Sequence, residues 1–304
     1  MATFHFPLLF WVPGSTEEVN RSPFTLIPRC WDVSIFDLYS LVAEAHPIRI
    51  PAEMMQVFLP NVNLEIAIDG EDYQTACRLL DTLRAILYSQ GLAPTIAPFA
   101  TSHSLNAYAG INSRSSDILR DKLPKDMREG ITAKDTKIEG WPNELSLMCL
   151  RGDPQVLTNE LDQAAFIAAA DAACIWQGIE DTHPSAGILR AALAKAPLMP
   201  DLSSSILHMW QALENLFGID REVTYRTSLM LAEMCSPVES RASTYRIAKK
   251  SYGDRSKIAH GSTSRVDTTQ WMRAWSLMQN SVQAVLDRGT IPSASELTDE
   301  LLAR

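Results

Sequence analysis

One segment of the chain carries an arginine and a histidine that could act on a phosphodiester. Residues 252–261 read YGDRSKIAHG, which places Arg255 five residues before His260 and a glycine directly after the histidine. Histidine titrates near neutral pH and can act as a general base or a general acid. Arginine offers a fixed fork of donors to phosphate oxygens. The residue types therefore indicate chemistry on a phosphate ester.

The charge of the chain reverses around this segment. The formal net charge of the 304 residues is −9, whereas residues 239–265 hold seven basic and two acidic side chains, a local charge of +5. A strongly acidic chain has no global attraction for nucleic acid, so a nucleic-acid site must be a local basic patch. The side chains predicted to bind RNA are those that flank the arginine and histidine: Arg241, Arg246, Lys249, Lys250 and Arg265.

Other kinds of site have little support in the sequence. The chain has no glycine-rich nucleotide-binding motif, no nucleophile-elbow serine motif and no zinc-protease motif. Its five cysteines are scattered and its six histidines show no zinc-site spacing, so we expect free thiols, no metal and no cofactor. Glu65, together with three acids at a turn, could attract a metal, but a solvated loop is the simpler interpretation.

Amphipathic helices are predicted to position the segment. Helical spacing covers residues 157–177, 203–217, 222–235 and 266–286, and residues 236–239 (SPVE) look like the capped start of a helix that contains the segment. The predicted buried faces are Leu157, Leu161, Ala164, Ala168 and Ile175; Ile206, Trp210, Leu213 and Phe217; Tyr225, Leu229 and Ala232; Val238, Ala242, Tyr245 and Tyr252; and Trp271, Trp275, Met278, Val282 and Val285. Short polar connections predict an antiparallel bundle with no strand after residue 154. The tryptophans could stack on bases, but core packing fits their spacing better.

The N-terminal half mixes strand and helix patterns. Residues 1–12 and 63–68 are predicted strands, and residues 73–88 are a predicted helix that ends at Gly91. Residues 95–99, 105–111 and 144–150 are three further predicted strands. This order predicts an α+β chain in which a small α/β layer domain precedes an all-α bundle.

Composition supports this division. The chain is 46% hydrophobic and 21% charged, as in ordinary globular proteins, and it is long enough for two domains. The composition changes near residues 150–157, which predicts an α/β domain over 1–152, a helical bundle over 153–288 and a tail over 289–304. The apolar start is too short for a secretory signal and no stretch is long enough to cross a membrane, so we expect a cytoplasmic protein without a membrane partner.

Three segments in order resemble a known family. "WQALENLFGID", "YRTSLMLAEMC" and "SYGDRSKIAHG", within residues 200–285, are similar to the Apea-like branch of the HEPN (higher eukaryotes and prokaryotes nucleotide-binding) domains. The resemblance implies a bundle of four or five helices that dimerises and acts as a metal-independent endoribonuclease in phage defence or toxin systems. It places Arg255 and His260 at the arginine and histidine positions of the family motif, where two protomers face each other across an RNA cleft.

The remaining site residues follow from the same segment. Tyr252, Asp254, Ser256 and Lys257 are predicted to support the pair, and Ser256 stands where many HEPN domains have Asn, Asp or His. Glu214 is either a group that orients a cation or a plain surface residue.

Two questions stay open at the level of the sequence. Residues five apart on an ideal helix diverge by about 140°, so one chain places Arg255 and His260 awkwardly, and pairing across a two-fold axis would relieve this. A catalytically silent module that binds RNA or a protein is the alternative function, with His260 as a helix-terminal histidine that interacts with the backbone dipole. The N-terminal half, which resembles no family, is predicted to act as a sensor or restraint.

Overall fold

The computed structural model describes residues 2–30, 61–102, 104–108, 138–140, 158–219, 221–262 and 265–303. The chain divides into two units. The first comprises Met1–Leu80, Thr95–Leu145 and Asn159–Ala170, and the second comprises Asp81–Pro94, Ser146–Thr158 and Asp171–Arg304. An antiparallel sheet followed by a helical region confirms the prediction of an α+β chain. The predicted boundary at residues 150–157 lies outside the described residues.

The first unit is built on an antiparallel sheet that contains the two strands predicted at residues 1–12 and 63–68. The second of these is buried on both faces rather than on one, since Glu65 and Ala67 are buried as well. The strands of the sheet are β1 (Ala2–Leu9), β3 (Val19–Arg21), β4 (Phe24–Pro28), β5 (Val62–Gly70), β6 (Ala100–Thr101) and β7 (Ile138–Gly140), in the order β3-β4-β5-β1-β6-β7. β5 lies between β4 and β1, and Leu64, Ile66 and Ile68 are buried as predicted. The two apolar segments at 1–12 and 63–68 therefore pair with each other over the whole of β1.

Two predicted strands of this half are wrong in the residues that the structure describes. Residues 95–99 have no regular structure, and residues 105–108 form a 3-10 turn (Leu105–Tyr108) rather than a strand. The predicted strand at 144–150 lies outside the described residues. A two-residue strand, β8 (Glu160–Leu161), pairs in parallel with β2 (Val12–Pro13), so the expectation of no strand after residue 154 is also wrong. Such short pairings depend on distant partners and leave no periodic signal in the sequence.

The helices are α1 (Tyr73–Ser89), α2 (Gln163–Thr182), α3 (Pro184–Lys195), α4 (Leu202–Asn215), α5 (Val223–Met234), α6 (Arg241–Ala259), α7 (Thr268–Arg288) and α8 (Ala294–Leu302). α1 ends as predicted, because Gly91 adopts a left-handed φ of +93° and the Leu92 N–H donates to the carbonyl of Leu87. None of the described helices is long and apolar enough to cross a membrane.

Stacked tryptophans fill the core of the helical unit. Trp271 and Trp275 on α7 are fully buried, with ring centroids 4.8 Å apart and planes 17° from parallel. Tyr88, at the end of α1, packs at 5.8 Å on Trp275, and the Gln279 amide donates to the Tyr88 carbonyl. The prediction that Trp210, Trp271 and Trp275 belong to the core is confirmed, since all three are buried.

The predicted buried face is wrong for α2, a helix rich in alanine. On α2, Ala164, Ala168 and Ile175 are exposed, while the opposite face, with Phe166 and Trp176, is buried. Alanine contributes little apolar area, so the two large aromatic side chains determine which face of an alanine-rich helix is buried.

The hairpin of α5 and α6 also differs from its prediction. Tyr225 and Val238 are exposed, and α6 buries Thr244, Ala248, Ser251 and Asp254 instead of its tyrosine face. Residues 236–239 form a turn, and Ser240 caps α6 by accepting a hydrogen bond from the Ser243 N–H. Small side chains on α6 let its backbone approach its neighbours closely, which apolar periodicity does not detect.

The two stacked tryptophans differ in their hydrogen bonds, which predicts different effects of matched substitutions. The Trp271 indole N–H donates to Ser205 Oγ over 2.7 Å, whereas Trp275 Nε1 is buried without a partner in the described structure. Trp271→Phe should lower the free energy of unfolding by about 1–2 kcal/mol more than Trp275→Phe, because only the first change removes a buried hydrogen bond. Urea denaturation followed by circular dichroism measures both. Equal losses would show that the two indole nitrogens are equivalent.

The four described cysteines are free thiols, as predicted, but they differ in environment. Burial raises the pKa of Cys235 to about 12, while Cys174 is exposed. At pH 8 only about 10⁻⁴ of the Cys235 thiol is ionised. Iodoacetamide should therefore label Cys174 in the native protein and reach Cys235 only after addition of urea. Peptide mass spectrometry checks this order, and native labelling of Cys235 at the rate of Cys174 would contradict it.

Candidate functional site

Helix α6 carries the predicted site, and its end is built by a glycine. His260 is the C-terminal cap, and Gly261 follows with a left-handed φ of +65°. The Ser262 N–H donates to the Lys257 carbonyl over 2.8 Å and the Gly261 N–H donates to the Ile258 carbonyl over 3.0 Å. This is a Schellman ending, which needs a residue that tolerates positive φ after the cap. The sequence Ala-His-Gly therefore ends the helix at the histidine.

Arg255 is anchored against α4. Its guanidinium Nη2 lies 3.2 Å from Glu214 Oε2, and its Cζ lies 5.6 Å from the centre of the Tyr252 ring. The Tyr252 ring in turn packs edge-on against Trp210 at 5.1 Å, and the Trp210 indole donates to Ser251 Oγ. The structure thus brings together three of the predicted site residues, Arg255, Tyr252 and Glu214, on a buried aromatic base.

The electrostatics of this cluster follow from partial burial. Burial of the Tyr252 hydroxyl, and then the negative charge of Glu214, raise the pKa of this tyrosine above its usual value. The side chains of Arg255 and Glu214 are 28% and 24% exposed, so solvent screens their attraction. Two atoms of the pair, Arg255 Nε and Glu214 Oε1, are buried without a hydrogen-bond partner in the described structure.

His260 lies on the other side of the helix. Its side chain is exposed, and no hydrogen bond or ion pair joins it to the described residues. Five helical residues correspond to a rotation of about 140°. Within one protomer the structure consequently does not bring Arg255 and His260 together: the arginine faces α4 and the histidine faces solvent. The position of His260 at the C-terminal cap is also where a purely structural histidine would sit.

Two charged residues of the predicted site have structural partners. Asp254 is buried, forms an ion pair of 2.6 Å with Arg273 and accepts a hydrogen bond from Gln270. Arg241 binds the buried carboxylate of Glu233 through two hydrogen bonds, of 2.6 and 2.9 Å, which raises the pKa of the arginine. These groups hold α6 against α7 and α5.

The other predicted cations face solvent. Arg246, Lys249 and Lys250 are exposed on α6, Lys257 is exposed near its end, and Arg265 is exposed beyond it. Half-buried Ser256 contributes its backbone carbonyl, which accepts a hydrogen bond from the His260 N–H over 3.1 Å. Arg246, Lys250 and Lys257 follow each other at helical spacing, so they form one basic face, and His260 lies at the end of it.

Sequence reasoning missed two buried carboxylates. Glu233 is 1% exposed on α5, and Glu65 is 3% exposed in the sheet, where it contacts His5 Nδ1 at 3.1 Å and accepts a hydrogen bond from the Leu105 N–H. The interpretation of Glu65 as part of a solvated loop is wrong. The partners of Glu65 are 60 and 40 residues away in sequence, so no local pattern could reveal them, whereas Glu233 pairs with Arg241 only eight residues away, across the turn between α5 and α6. The described residues contain no cluster of three metal-ligating side chains.

Comparisons with protein-family models, with curated proteins and with solved structures found no match to this chain. The residues of α4, α5 and α6 and their geometry therefore carry what can be said of function.

The ion pair between Arg255 and Glu214 can be measured by a double-mutant cycle. Because both groups are partly exposed, Glu214→Gln and Arg255→Gln should show a coupling of about 1 kcal/mol in urea denaturation at low salt and less in 1 M NaCl. Arg246→Gln combined with Glu214→Gln is the matched control, since Arg246 is exposed and has no contact with Glu214. A coupling of zero for Arg255 would show that the pair is absent in solution.

Proposed function

We propose that the chain is a metal-independent endoribonuclease of the HEPN type that acts as a homodimer. The observation that carries the proposal is the basic face of α6, which ends at the exposed imidazole of His260, on the same helix as the anchored guanidinium of Arg255. Phosphates of an RNA strand would bind the exposed lysines and arginines. The described helical unit is compatible with a HEPN bundle, and the three-segment resemblance favours one.

The proposed reaction uses the nucleophile that RNA itself supplies. The ribose 2′-hydroxyl attacks the adjacent phosphorus while His260 takes its proton, and the bond from phosphorus to the 5′-oxygen breaks. A protonated imidazole, that of His260 or of its copy in the second protomer, gives a proton to the leaving 5′-oxygen, and Arg255 stabilises the extra negative charge on the phosphate. The products carry 2′,3′-cyclic phosphate and 5′-hydroxyl ends. No step requires a metal or a cofactor.

The divergence of the two side chains supports a site shared between two protomers. A two-fold axis beside α6 would place His260 of one copy near Arg255 of the other, which a single helix does not achieve. Glu214 would then position Arg255. Ser256, Lys257 and Tyr252 would support the strand, and Asp254 would act through its anchoring of α6.

A matched pair of histidine variants tests the activity. In buffer with EDTA, His260→Ala should reduce cleavage of single-stranded RNA at least about 100-fold, because it removes a general acid or base. His183→Ala is the control, since His183 contacts Thr290 and lies outside α6. Gel analysis of labelled RNA, with end-group mapping, measures the rate and the chemistry. Undiminished cleavage by His260→Ala would refute the proposal.

Mixing two inactive variants tests the shared site. Arg255→Ala and His260→Ala protomers should recover about a quarter of the wild-type rate when re-associated, because half of the dimers then contain one intact site. A site made within each chain would give no recovery.

The second candidate is a silent module that binds RNA, or a protein partner, without cutting. The observation that favours it is the neutralisation of Arg255 by Glu214 on the side of α6 away from His260. It predicts salt-sensitive RNA binding, or a stable protein complex, and no cleavage by the wild-type protein.

A biological role in phage defence or as a toxin belongs to the same proposal, with the sheet unit as a sensor or restraint. Expression of the wild type beside His260→Ala, with growth and total RNA integrity as the readout, tests this role. Removal of residues 1–150 is not a clean test of restraint, because Asp81–Pro94 belong to the helical unit.

A further inference from the structure

A pair of tyrosines with one exposed ring lies beside the basic face. Tyr225 on α5 is 55% exposed, and among the described side chains it is the one aromatic of this exposure. Its ring meets the half-buried ring of Tyr245 on α6 at 6.4 Å, nearly at a right angle. The Lys249 ammonium lies 6.0 Å from the centre of the Tyr245 ring. The pair therefore presents aromatic surface and positive charge at one place.

The surroundings of this pair carry more positive than negative charge. The exposed cations near it in α5 and α6 are Arg226, Arg246, Lys249 and Lys250. None of them has a carboxylate partner in the described structure. Glu222 is the one acid in residues 221–226. Cations without internal partners are available for a polyanion.

The position of the pair relative to the proposed site is set by α6. Tyr245, Lys249, Tyr252 and Arg255 succeed one another along the helix. At 1.5 Å per residue, Tyr245 and Arg255 are about 15 Å apart along the axis. A strand of a few nucleotides can span this distance.

From this arrangement we infer that Tyr225 and Tyr245 form a base-stacking platform that holds an unpaired segment of RNA beside the cleavage site. The inference rests on the proposed function and extends it, since it names the substrate class as single-stranded. Bases of a single strand can stack on aromatic rings, whereas a duplex keeps its base faces inside. The exposed cations neutralise the phosphates on either side of the stacked base.

The chemistry of the patch favours a nucleic acid over a peptide. An acidic peptide would use the same cations, but it would gain little from Tyr225, because its carboxylates have no aromatic ring to stack on the tyrosine. The contribution of the bases therefore separates the two ligands, and an oligonucleotide without bases is the direct control.

The experiment uses the full chain with His260→Ala, so that bound RNA is not cut. Fluorescence anisotropy measures the affinity for a labelled single-stranded RNA, for an abasic strand of equal phosphate number and for an RNA duplex. Tyr225→Ala should weaken binding of the single strand by about tenfold and leave the abasic strand unchanged. Tyr225→Phe should retain the affinity, because the ring rather than the hydroxyl stacks. Ile175→Ala, an exposed apolar change on α2, is the control.

The outcomes separate this inference from the proposed function. If wild-type protein cuts RNA but Tyr225→Ala binds single strands normally, the platform is refuted and the nuclease remains. If Tyr225→Ala loses base-dependent affinity in a protein that never cuts RNA, the platform is supported and the nuclease is refuted. Three results would overturn the platform. The first is equal affinity for abasic, duplex and single-stranded RNA, and the second is absence of RNA binding. The third is that polyglutamate displaces bound RNA to the same degree from the protein with Tyr225 and from the protein with Tyr225→Ala.

Discussion

Helix α6 is held to its neighbours by charge pairs and hydrogen bonds rather than by large apolar side chains. Its buried residues are Thr244, Ala248, Ser251 and Asp254. Three ion pairs connect this helix to three others: Arg241 to Glu233 on α5, Arg255 to Glu214 on α4 and Asp254 to Arg273 on α7. Partly buried ion pairs add modest net stability, but they form only when the two charged groups meet at the right distance and angle. They therefore fix the rotation of a helix about its axis more than they strengthen its packing. That rotation determines that Arg246, Lys250 and His260 face solvent.

The same constraint explains which parts of the structure the sequence could predict. The sequence predicts the buried face of a helix correctly where large aromatic side chains recur at regular spacing, because large apolar side chains dominate burial. Helix α7, with buried Trp271 and Trp275, is the example. The faces of α2 and α6 could not be predicted, since alanine, serine and threonine leave the choice of face to distant partners. Strands of two or three residues, such as β6 and β8, were missed for the same reason: their pairing partners are far away in sequence.

For the candidate site, the types and spacing of Arg255 and His260 were visible in the sequence, and the helix end at Gly261 followed from a known signal. Glu214 was also a candidate, either as a group that orients a cation or as a surface residue, but its pairing with Arg255 could not be specified because the two are 41 residues apart. The two tyrosines beside the basic face were missed, since apolar periodicity assigned Tyr225 and Tyr245 to the core. Both tyrosines stand at the helical spacing typical of buried residues, whereas in the structure Tyr225 is exposed to solvent.

The contribution of Tyr88 to the tryptophan core has a consequence for the modularity of the protein. Asp81–Pro94 belong to the helical unit although they precede most of it by more than seventy residues, and Tyr88 closes one side of Trp275. A fragment that begins at α2 would leave that indole face without its cover. Recombination at a point between α1 and α2 would therefore separate Trp275 from Tyr88, and a chain that acquired an intact helical unit would have to inherit the end of α1 as well.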